Sequence, residues 1–508
     1  MELAMPMDAA SGLHFEELPI FERSSKGRTG LSLGLSDVPI IDPAQVFGHL
    51  ARKSPTDLPE VSEPDVVRHF VRLSQHNFSV DTQFYPLGSC TMKYNPKVNE
   101  WAARLEGFTS LHPATPADFA QGALALMWHI ERSLAEICGM DDVSLQPAAG
   151  AQGEITGLMM IRAYHQAQGR SPHTVLVPDT AHGTNPASCA VNGLVVRPFV
   201  SGADGIIDPA KLATAVEEVR DDLAAIMITN PNTLGLFESH LPQITRMIHE
   251  RGGMLYGDGA NLNALMGRAR PGDLGFDVVQ LNLHKTFSTP HGGGGPGSGP
   301  IAFKASLAPF QPTPIIRHNN GRFSLQRRHP QSIGRVRSFF GNFGMIVRAY
   351  AYIRELGGEG LKQATDMAVL NANYLAALLD SAGLRDVLPS AHNRTCMHEV
   401  VVSDRVLEAD TGIKTLDVAK RLIDHGFHPP TVYFPLVVKG AMMIEPTECE
   451  SKETMEAFVQ ALRSIVDEAR TNPDLVRGAP HLTRVARMDE ARAARKPRLR
   501  WSPPVSPT

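Results

Sequence analysis

A lysine near the middle of the chain follows an apolar segment. Residues 278–283 predict a buried strand, and Lys285 comes where that strand should end. Residues 291–300, HGGGGPGSGP, contain too much glycine and proline for a helix or a strand. A lysine that must be neutral to attack a carbonyl would occupy such a position, because burial disfavours an ammonium. Lys285 could therefore form a Schiff base with an aldehyde cofactor, or it could extend its amine from the strand end into solvent.

An acid precedes this lysine by one predicted strand. Asp258 lies in YGDGANLNA, residues 256–264, directly after buried apolar residues. A carboxylate there is costly unless a positive group pairs with it. A protonated pyridine nitrogen is such a group, and pyridoxal phosphate enzymes use an aspartate partner for it. An acid at one strand end and a lysine at the next is the arrangement of the large domain in this cofactor class.

Two loops upstream add groups that suit the same cofactor. PAAGAQGE, residues 147–154, is a small-residue loop that opens a helix, and backbone amides at a helix start bind anions. DTAHGTNPAS, residues 179–188, contains His182, which could stack on a flat ring or be a satisfied loop histidine. Together with the acid and the lysine, these loops predict a pyridoxal phosphate site. The residues that could hold the phosphate are Gly150, Ala151 and Gln152.

Composition narrows the class of protein. The chain has 508 residues, of which 43% are hydrophobic and 20% charged, with a formal net charge of -4. These values are typical of a globular protein and give no basic surface for nucleic acid. We expect neither a membrane span nor a secretory signal from the sequence. Five scattered cysteines favour a reducing, cytoplasmic setting, and the absence of HExxH or a tight His/Cys cluster argues against a metal site.

Alternating strands and helices predict an α/β fold. A helix over 118–138, ended by Gly139, precedes the alternation. We expect a mostly parallel sheet covered by helices on both faces, with ligands at the carboxyl ends of the strands. The predicted strands are 143–146, 174–177, 194–199, 224–229, 254–256, 278–283 and 301–303, and the predicted helices between them are 155–168, 186–192, 209–221 and 241–251.

The domain organisation follows from these patterns. A helix over about 333–356 is expected to bridge two domains, and a smaller α/β unit follows it. That unit is predicted to contain helices near 362–381, 415–425 and 451–470 and strands near 397–402 and 441–444. The expected divisions are an N-terminal arm and helical segment (1–117), a large cofactor-binding α/β domain (118–332), a smaller C-terminal α/β domain (333–478) and an exposed Arg/Pro-rich tail (479–508).

Long segments of the chain resemble one known family. They are FYPLGSCTMKYNPKVNE, PAAGAQGE, DTAHGTNPAS, TNPNTLGLFE, DGANLNA, NLHKTFSTPHGGGGPGSGP, SIGRVRSFFGNFGMIVRAYAYIR and PTVYFPLVVKGAMMIEPTE. These segments resemble glycine decarboxylase, the P-protein of the glycine cleavage system, from about residue 20 to residue 501. That enzyme also occurs as two subunits, and this chain is similar to the second, lysine-bearing subunit. The resemblance implies fold type I, the aspartate-aminotransferase type.

The resemblance also implies roles for individual residues. Lys285 corresponds to the Schiff-base lysine, Asp258 to the partner of the pyridine nitrogen and His182 to the ring-stacking residue. Phosphate contacts fall on Gly150, Ala151 and Gln152. Residues expected to touch the cofactor or to line the site are His284, Thr286, Thr233, Asn261 and His291.

The family reaction implies partners. Glycine displaces the lysine from the cofactor, carbon dioxide leaves, and the aminomethyl group passes to the lipoyl arm of H-protein. A channel for that arm would be bordered by residues 81–100 and 291–300. The resemblance implies a stable complex with a first P-protein subunit, with two copies of each, and a transient complex with lipoylated H-protein.

Two other interpretations remain open on the residues alone. The chain could be another fold-type-I enzyme: an aminotransferase would need an arginine such as Arg335 or Arg337, and a cysteine desulfurase would need a reactive thiol such as Cys90. It could also be a non-catalytic scaffold subunit whose site belongs to its partner. The presence of the lysine, the aspartate and the histidine together argues against a scaffold.

Overall fold

The computed structural model describes residues 17–30, 34, 37–54, 56–291, 297–392 and 394–502. The chain divides into two compact units, one of Met1–Ser79 with Gly478–Thr508 and the other of Val80–Arg477. Residues 292–296 of the predicted glycine-rich loop lie outside the described residues, as do parts of the N-terminal arm and the tail. The domain divisions expected from the sequence remain a prediction. No helix in the described ranges has the length and apolarity to cross a membrane.

A large sheet forms the centre of the second unit. Its strands within the described residues are β1 (Asp142–Ser144), β2 (Thr174–Pro178), β3 (Val195–Phe199), β4 (Leu223–Thr229), β5 (Met254–Gly259), β6 (Val278–Leu281) and β7 (Ile301–Phe303). Their order is β1-β7-β6-β5-β4-β2-β3. Neighbours from β3 to β6 pair in parallel, and β7 is antiparallel to both β6 and β1. The sheet is therefore mostly parallel, as expected.

Helices cover both faces of this sheet. Successive β4 side chains point to opposite faces: Ile226 and Ile228 join one apolar cluster, whereas Met227 joins the other. The helices in the described residues are α1 (Pro43–Phe47), α2 (Glu63–Gln75), α3 (Lys97–Ala103), α4 (Glu106–Thr109), α5 (Gln121–Cys138), α6 (Gly150–Ala167), α7 (Thr184–Val191), α8 (Pro209–Val219), α9 (Leu241–Glu250), α10 (Leu283–Thr286), α11 (Phe343–Ser381), α12 (Arg405–Thr411), α13 (Thr415–Asp424), α14 (Lys452–Thr471), α15 (Pro473–Gly478) and α16 (Glu490–Arg495).

The C-terminal part of the second unit contains smaller sheets. A hairpin of β8 (Ile315–Asn319) and β9 (Arg322–Gln326) was not expected from the sequence. Strands β10 (Val400–Ser403), β11 (Thr431–Val432) and β12 (Ala441–Ile444) pair antiparallel in the order β10-β12-β11. One apolar cluster joins this sheet to α11 and α14, which buries the amphipathic faces of both helices.

The predicted bridging helix over 333–356 is wrong at its start, whereas its predicted end coincides with a kink. Helix α11 begins at Phe343, because Gly341 has φ 84° and packs so closely that a Cβ would lie 2.3 Å from Leu145 O. At Gly357 the backbone leaves helical geometry, with φ 60° and ψ -174°, so Phe343–Ser381 consists of two helical segments that meet at a kink. The prediction of two helices, 333–356 and 362–381, is thus confirmed except at the start of the first.

Three elements that carry site residues begin or end a few residues away from the predicted positions. Strand β6 ends at Leu281, so Lys285 lies in the single helical turn α10 rather than directly at the strand end. Strand β5 extends to Gly259, so Asp258 belongs to the strand. Helix α6 begins at Gly150 instead of residue 155, because the small residues of this loop already adopt helical geometry. Its first turn therefore contains all three predicted phosphate residues.

Candidate active site

The carboxyl ends of neighbouring parallel strands bring the predicted residues together. Thr229 at the end of β4 pairs in register with Asp258 of β5, which in turn pairs with Gln280 of β6. Lys285 follows β6 in α10, and His182 lies in the loop after β2. Because parallel strands end at the same edge of a sheet, one crevice collects these side chains.

Asp258 is buried, and four polar groups contact its carboxylate. Oδ1 accepts from Gln280 Nε2 at 2.6 Å and from Ala260 N at 3.0 Å. Oδ2 accepts from Asn185 Nδ2 at 3.2 Å and lies 2.9 Å from His182 Nδ1. Burial alone would raise the pKa of Asp258, but these contacts and the charge of Lys285 outweigh burial and lower it. The carboxylate is therefore ionised at neutral pH.

Both ring nitrogens of His182 contact other side chains. Nδ1 faces Asp258, and Nε2 lies 2.6 Å from Ser89 Oγ. The ring is nearly parallel to that of Phe434, with an angle of 7° between the planes and 6.1 Å between the ring centroids. Because hydrogen bonds fix both ring nitrogens, the orientation of the imidazole plane is set by two other parts of the chain.

The side chain of Lys285 forms a hydrogen bond with a backbone carbonyl. Nζ donates to Ser89 O at 2.8 Å. Burial, together with His291 and Lys285, lowers the pKa of His284 to about 3; burial and Lys285 lower that of His291 to about 4. His284 Nδ1 accepts from Ser298 N at 3.2 Å, which ties α10 to the far side of the glycine-rich segment. Both histidines next to the lysine are therefore neutral at physiological pH.

The start of α6 packs against the end of the glycine-rich segment. A Cβ on Gly299 would lie 2.0 Å from Ala149 O, so only glycine permits this approach. Gln152 uses its side chain on the backbone: Oε1 accepts from Ala148 N at 2.7 Å and Nε2 donates to Val336 O at 2.8 Å. A phosphate would therefore meet the backbone N–H groups of this first turn, and the side chain of Gln152 braces the loop.

Several buried polar atoms near this turn lack a partner in the part of the chain that the structure describes. They are Thr286 Oγ1, Thr289 Oγ1, Ser298 Oγ and Asn282 Oδ1. Buried hydroxyls are nearly always hydrogen-bonded. These residues lie on both sides of Lys285 in the sequence, and the Asn282 side chain lies against Gly150 at the start of α6, so they fit a phosphorylated ligand.

Comparison with known proteins identifies the family. Residues 364–478 match the family model described as glycine dehydrogenase, C-terminal domain. The probable glycine dehydrogenase (decarboxylating) subunit 2 of Desulforamulus reducens is 55% identical over 486 residues, which cover 95% of this chain and 99% of the relative. The chain belongs to the glycine dehydrogenase (decarboxylating) subunit 2 family. The family that the sequence segments indicated is thus confirmed.

Solved structures show the fold of this subunit 2 family member. An inhibitor-bound glycine decarboxylase (P-protein) of the glycine cleavage system matches with a TM-score of 0.69 and 21% identity, over 83% of this chain and 95% of that chain. A cysteine desulfurase from Thermococcus onnurineus NA1 matches with a TM-score of 0.59 and 15% identity, over 76% and 95% respectively. At these identities the likeness concerns the fold alone, and it confirms the predicted fold type I.

Two of the predicted site residues in this chain connect neighbouring loops through hydrogen bonds. Thr233 Oγ1 donates to Thr180 O at 2.8 Å, which joins the loops after β4 and β2. Asn261 Nδ2 donates to Pro231 O at 2.8 Å, which joins the loops after β5 and β4. Both residues are buried and their described bonds go to backbone carbonyls. Their direct contact with a cofactor remains a prediction.

Sequence reasoning missed three residues that contact the central groups. Ser89 touches both Lys285 and His182, whereas Gln280 and Asn185 donate to Asp258. Gln280 could have been recognised from the sequence, because it is the polar residue inside the apolar strand β6. Ser89 had none beyond its place in the chemically varied loop 81–100.

Proposed function

We propose that this chain is the pyridoxal-phosphate-bearing subunit of a two-subunit glycine decarboxylase and that Lys285 holds the cofactor covalently. The family assignment supports the activity, since its curated relatives are named as decarboxylating glycine dehydrogenases. The observation that carries the residue assignment is the buried, ionised Asp258, which lies one strand from the lysine at the same sheet edge. When bound, pyridoxal phosphate supplies an electron sink that stabilises the carbanion left by decarboxylation.

Asp258 has the properties needed to keep a pyridine nitrogen protonated. Its carboxylate is buried among four donors, and its lowered pKa keeps it negative throughout the physiological range. A negative charge in low dielectric holds a neighbouring proton far more strongly than the same charge in water. The role of Asp258 is therefore to fix a proton on the ring nitrogen.

His182 would orient the ring. Its ring nitrogens contact Asp258 and Ser89, which leaves the imidazole face away from Phe434 for stacking on the cofactor. A residue that binds the acid and stacks on the same ring couples the position of the two groups. His182 is thus assigned as a stacking and positioning residue.

The phosphate would lie at the start of α6. The first N–H groups of a helix have no acceptor within it and point toward an anion. Gly150, Ala151 and Gln152 would supply these groups, and the hydroxyl of Thr286, which has no partner among the described residues, would supply another donor. His284 and His291, both neutral, would line the site beside the lysine without adding positive charge.

The other fold-type-I activities have weaker support. A desulfurase needs a thiolate nucleophile, but burial raises the pKa of the Cys90 thiol, and Lys285 offsets this only in part. An aminotransferase needs an arginine for a second carboxylate; of the two candidates, Arg335 is exposed and Arg337 is half-buried. Glycine has one carboxylate and no side chain, so its recognition requires no arginine for a second carboxylate.

The proposed partners follow from the same assignment. The relatives are named subunit 2, which supports association with a first subunit, and we propose two copies of each. Transfer of the aminomethyl group to a lipoyl arm of H-protein, through a channel bordered by residues 81–100 and 291–300, is part of this proposal, as is a cytoplasmic location. Light scattering of the chain alone and with subunit 1 measures the assembly.

Exchange of labelled bicarbonate into glycine tests the proposed function. The assay needs this chain, subunit 1 and lipoylated H-protein, with Lys285→Ala as the matched inactive variant. Exchange that requires all three proteins and disappears with the variant supports the assignment. Exchange that persists with Lys285→Ala, or desulfurase activity with cysteine in its place, would exclude it.

A further inference from the structure

We propose that three carboxyl groups, those of Glu399, Glu445 and Glu448, are positioning residues that hold residues 89–93 against the cofactor lysine. The proposal deepens the assigned function and rests on it, since it takes Lys285 and His182 as members of the site. We call the three glutamates the carboxyl clamp.

The clamp contacts every second residue of the segment SCTMK. Glu399 Oε2 accepts from Ser89 N at 2.8 Å. Glu445 Oε2 accepts from Thr91 N at 3.0 Å. Glu448 Oε1 accepts from Lys93 Nζ at 2.7 Å, and Lys93 is itself buried. Three acids therefore hold three alternate positions, which a loop stabilised only by its own turns would not need.

The clamp residues come from one small sheet. Glu399 immediately precedes β10, and Glu445 and Glu448 follow β12, its antiparallel neighbour. Glu399 and Glu445 are both 0% exposed, so their carboxyl groups are fixed by the surrounding core. Acids placed on paired strands have little freedom to move, which makes them suitable as fixed acceptors.

The segment needs such support because its backbone is strained. Ser89 has φ 65° and Thr91 has φ 47°, in the left-handed region that non-glycine residues rarely adopt. The strain is largest for a β-branched residue such as threonine. Strained residues persist when the surrounding structure over-determines them, and they cluster at functional sites.

The strained conformation sets two contacts in the site. The carbonyl oxygen of Ser89 accepts from Lys285 Nζ at 2.8 Å, while its hydroxyl lies 2.6 Å from His182 Nε2. One residue thus aligns the lysine through its backbone and the histidine through its side chain. If the N–H of Ser89 lost its acceptor, the residue could relax and both contacts would be lost together.

The remaining oxygens of Glu399 and Glu445 face a buried histidine. His398 Nε2 lies 3.6 Å from Glu399 Oε1 and 3.9 Å from Glu445 Oε1. Burial and the neighbouring carboxyl raise the pKa of Glu399; burial raises that of Glu445 to about 7, against the opposing contact with Thr91. Burial, with the charges of Lys285 and His182, lowers the pKa of His398 to about 3. A proton held among these groups limits the negative charge of the clamp.

His398, Glu399 and Glu445 also have the composition of a donor set for a divalent metal ion. Glu399 and Glu445 each already use one oxygen on a backbone N–H, and burial raises the pKa of both carboxyl groups, which favours neutral carboxyls over anionic metal ligands. We therefore assign the cluster as a clamp, and metal analysis of the purified holoenzyme decides between the two.

The first test compares Glu399→Ala with Glu399→Gln, because the glutamine carbonyl can still accept the N–H of Ser89. With Glu399→Ala, kcat should fall by about tenfold to a hundredfold with less than about a twofold change in the KM for glycine, as expected for a misplaced catalytic group. The absorbance of the lysine-bound cofactor should titrate at a shifted pH. Glu399→Gln should restore most of both properties.

Asp404→Ala is the matched control. Asp404 is also a buried acid, and its Oδ2 accepts from Thr415 N at 2.7 Å next to the same sheet. Its partners touch neither Lys285 nor His182 in the described residues, so the variant should lose stability without a change in the cofactor titration. Equal effects of Asp404→Ala and Glu399→Ala on that titration would overturn the clamp.

Hydrogen exchange provides a readout that needs neither activity nor soluble alanine variants. The amides of Ser89 and Thr91 in the wild-type protein should be protected, whereas rapid exchange at both would overturn the proposal. Stoichiometric metal in the holoenzyme that Glu445→Gln loses would also overturn it. If borohydride labelled a lysine other than Lys285, the proposed function would fail; if Lys285 were labelled and Glu399→Ala behaved as wild type, only the clamp would fail.

Discussion

The carboxylate of Asp258 lies 2.9 Å from Nδ1 of His182, although the strands that carry them toward the site, β5 and β2, are separated in the sheet by β4. The loop after β2 must therefore fold over the end of β4 to reach the acid. His182 N accordingly donates to Thr229 Oγ1 at 3.3 Å, at the end of that intervening strand. The pair is a product of the sheet order, and it joins the proton-holding acid to the stacking residue.

Asp258→Asn should separate binding from chemistry. The amide is nearly isosteric but carries no charge, so it cannot hold a proton on the ring nitrogen. We expect glycine decarboxylation to fall by about a hundredfold or more, whereas glycine binding changes much less. Steady-state exchange kinetics and a glycine titration followed by absorbance measure the two quantities. Turnover within a few-fold of wild type would refute the assigned role.

His182→Phe should keep an aromatic face and lose both edge contacts. Without the bonds to Asp258 and Ser89, the ring has no fixed orientation and the acid loses one of its hydrogen-bond partners. We expect cofactor binding to remain and the exchange rate to drop by roughly tenfold or more. His182→Ala should lose cofactor affinity as well. If the two variants had the same cofactor affinity, stacking would not be a function of His182.

Much of the sheet could be predicted from the sequence because its signals are local. Strand β7 has its predicted bounds, and β4 differs by one residue at its start. Asp258 and Lys285 could be found because polar groups directly after buried strands are conspicuous.

Ser89 could not be found because its contacts with His182 and Lys285 join residues far apart in the chain. No periodicity records such a contact. By contrast, the break in α11 at Gly357 lies between the two predicted helices, since two adjacent glycines are a local break signal.

Gly299→Ala should weaken phosphate binding. Its added Cβ would lie 2.0 Å from Ala149 O, so either the glycine-rich segment or the start of α6 must move. We expect the dissociation constant for the cofactor to rise by about tenfold or more, since displaced N–H groups cannot all reach the phosphate. Gly122→Ala is the control, because a Cβ there meets nothing within 4 Å. Equal cofactor affinity in the two variants would contradict the placement of the phosphate.

Glu238 should contribute a pH-dependent loss of stability. Burial raises its pKa to about 7, against the opposing hydrogen bonds from Ile207 N and Asn232. The folded protein therefore keeps a proton that the unfolded chain releases above about pH 4.3. Stability falls as pH rises from that value to about 7 and then levels off.

Glu238→Gln should remove the part of the pH-dependent fall in stability that comes from Glu238. Melting temperatures of the two proteins, measured from about pH 4 to about pH 8, should diverge across the window, with the wild type losing more. A constant difference between the two curves would show that Glu238 is ionised to the same extent in the folded and unfolded states.

Borohydride reduction of the holoenzyme, followed by peptide mapping, tests the central assignment most directly. Reduction fixes the cofactor to the amine that holds it, so the mass of one peptide identifies the lysine. We predict a single pyridoxyl group on Lys285 in the wild type, and none on the folded Lys285→Ala protein, which should also lack the absorbance band of the lysine-bound cofactor. A pyridoxyl group on any other lysine of the wild-type chain, including the buried Lys93, would contradict the account.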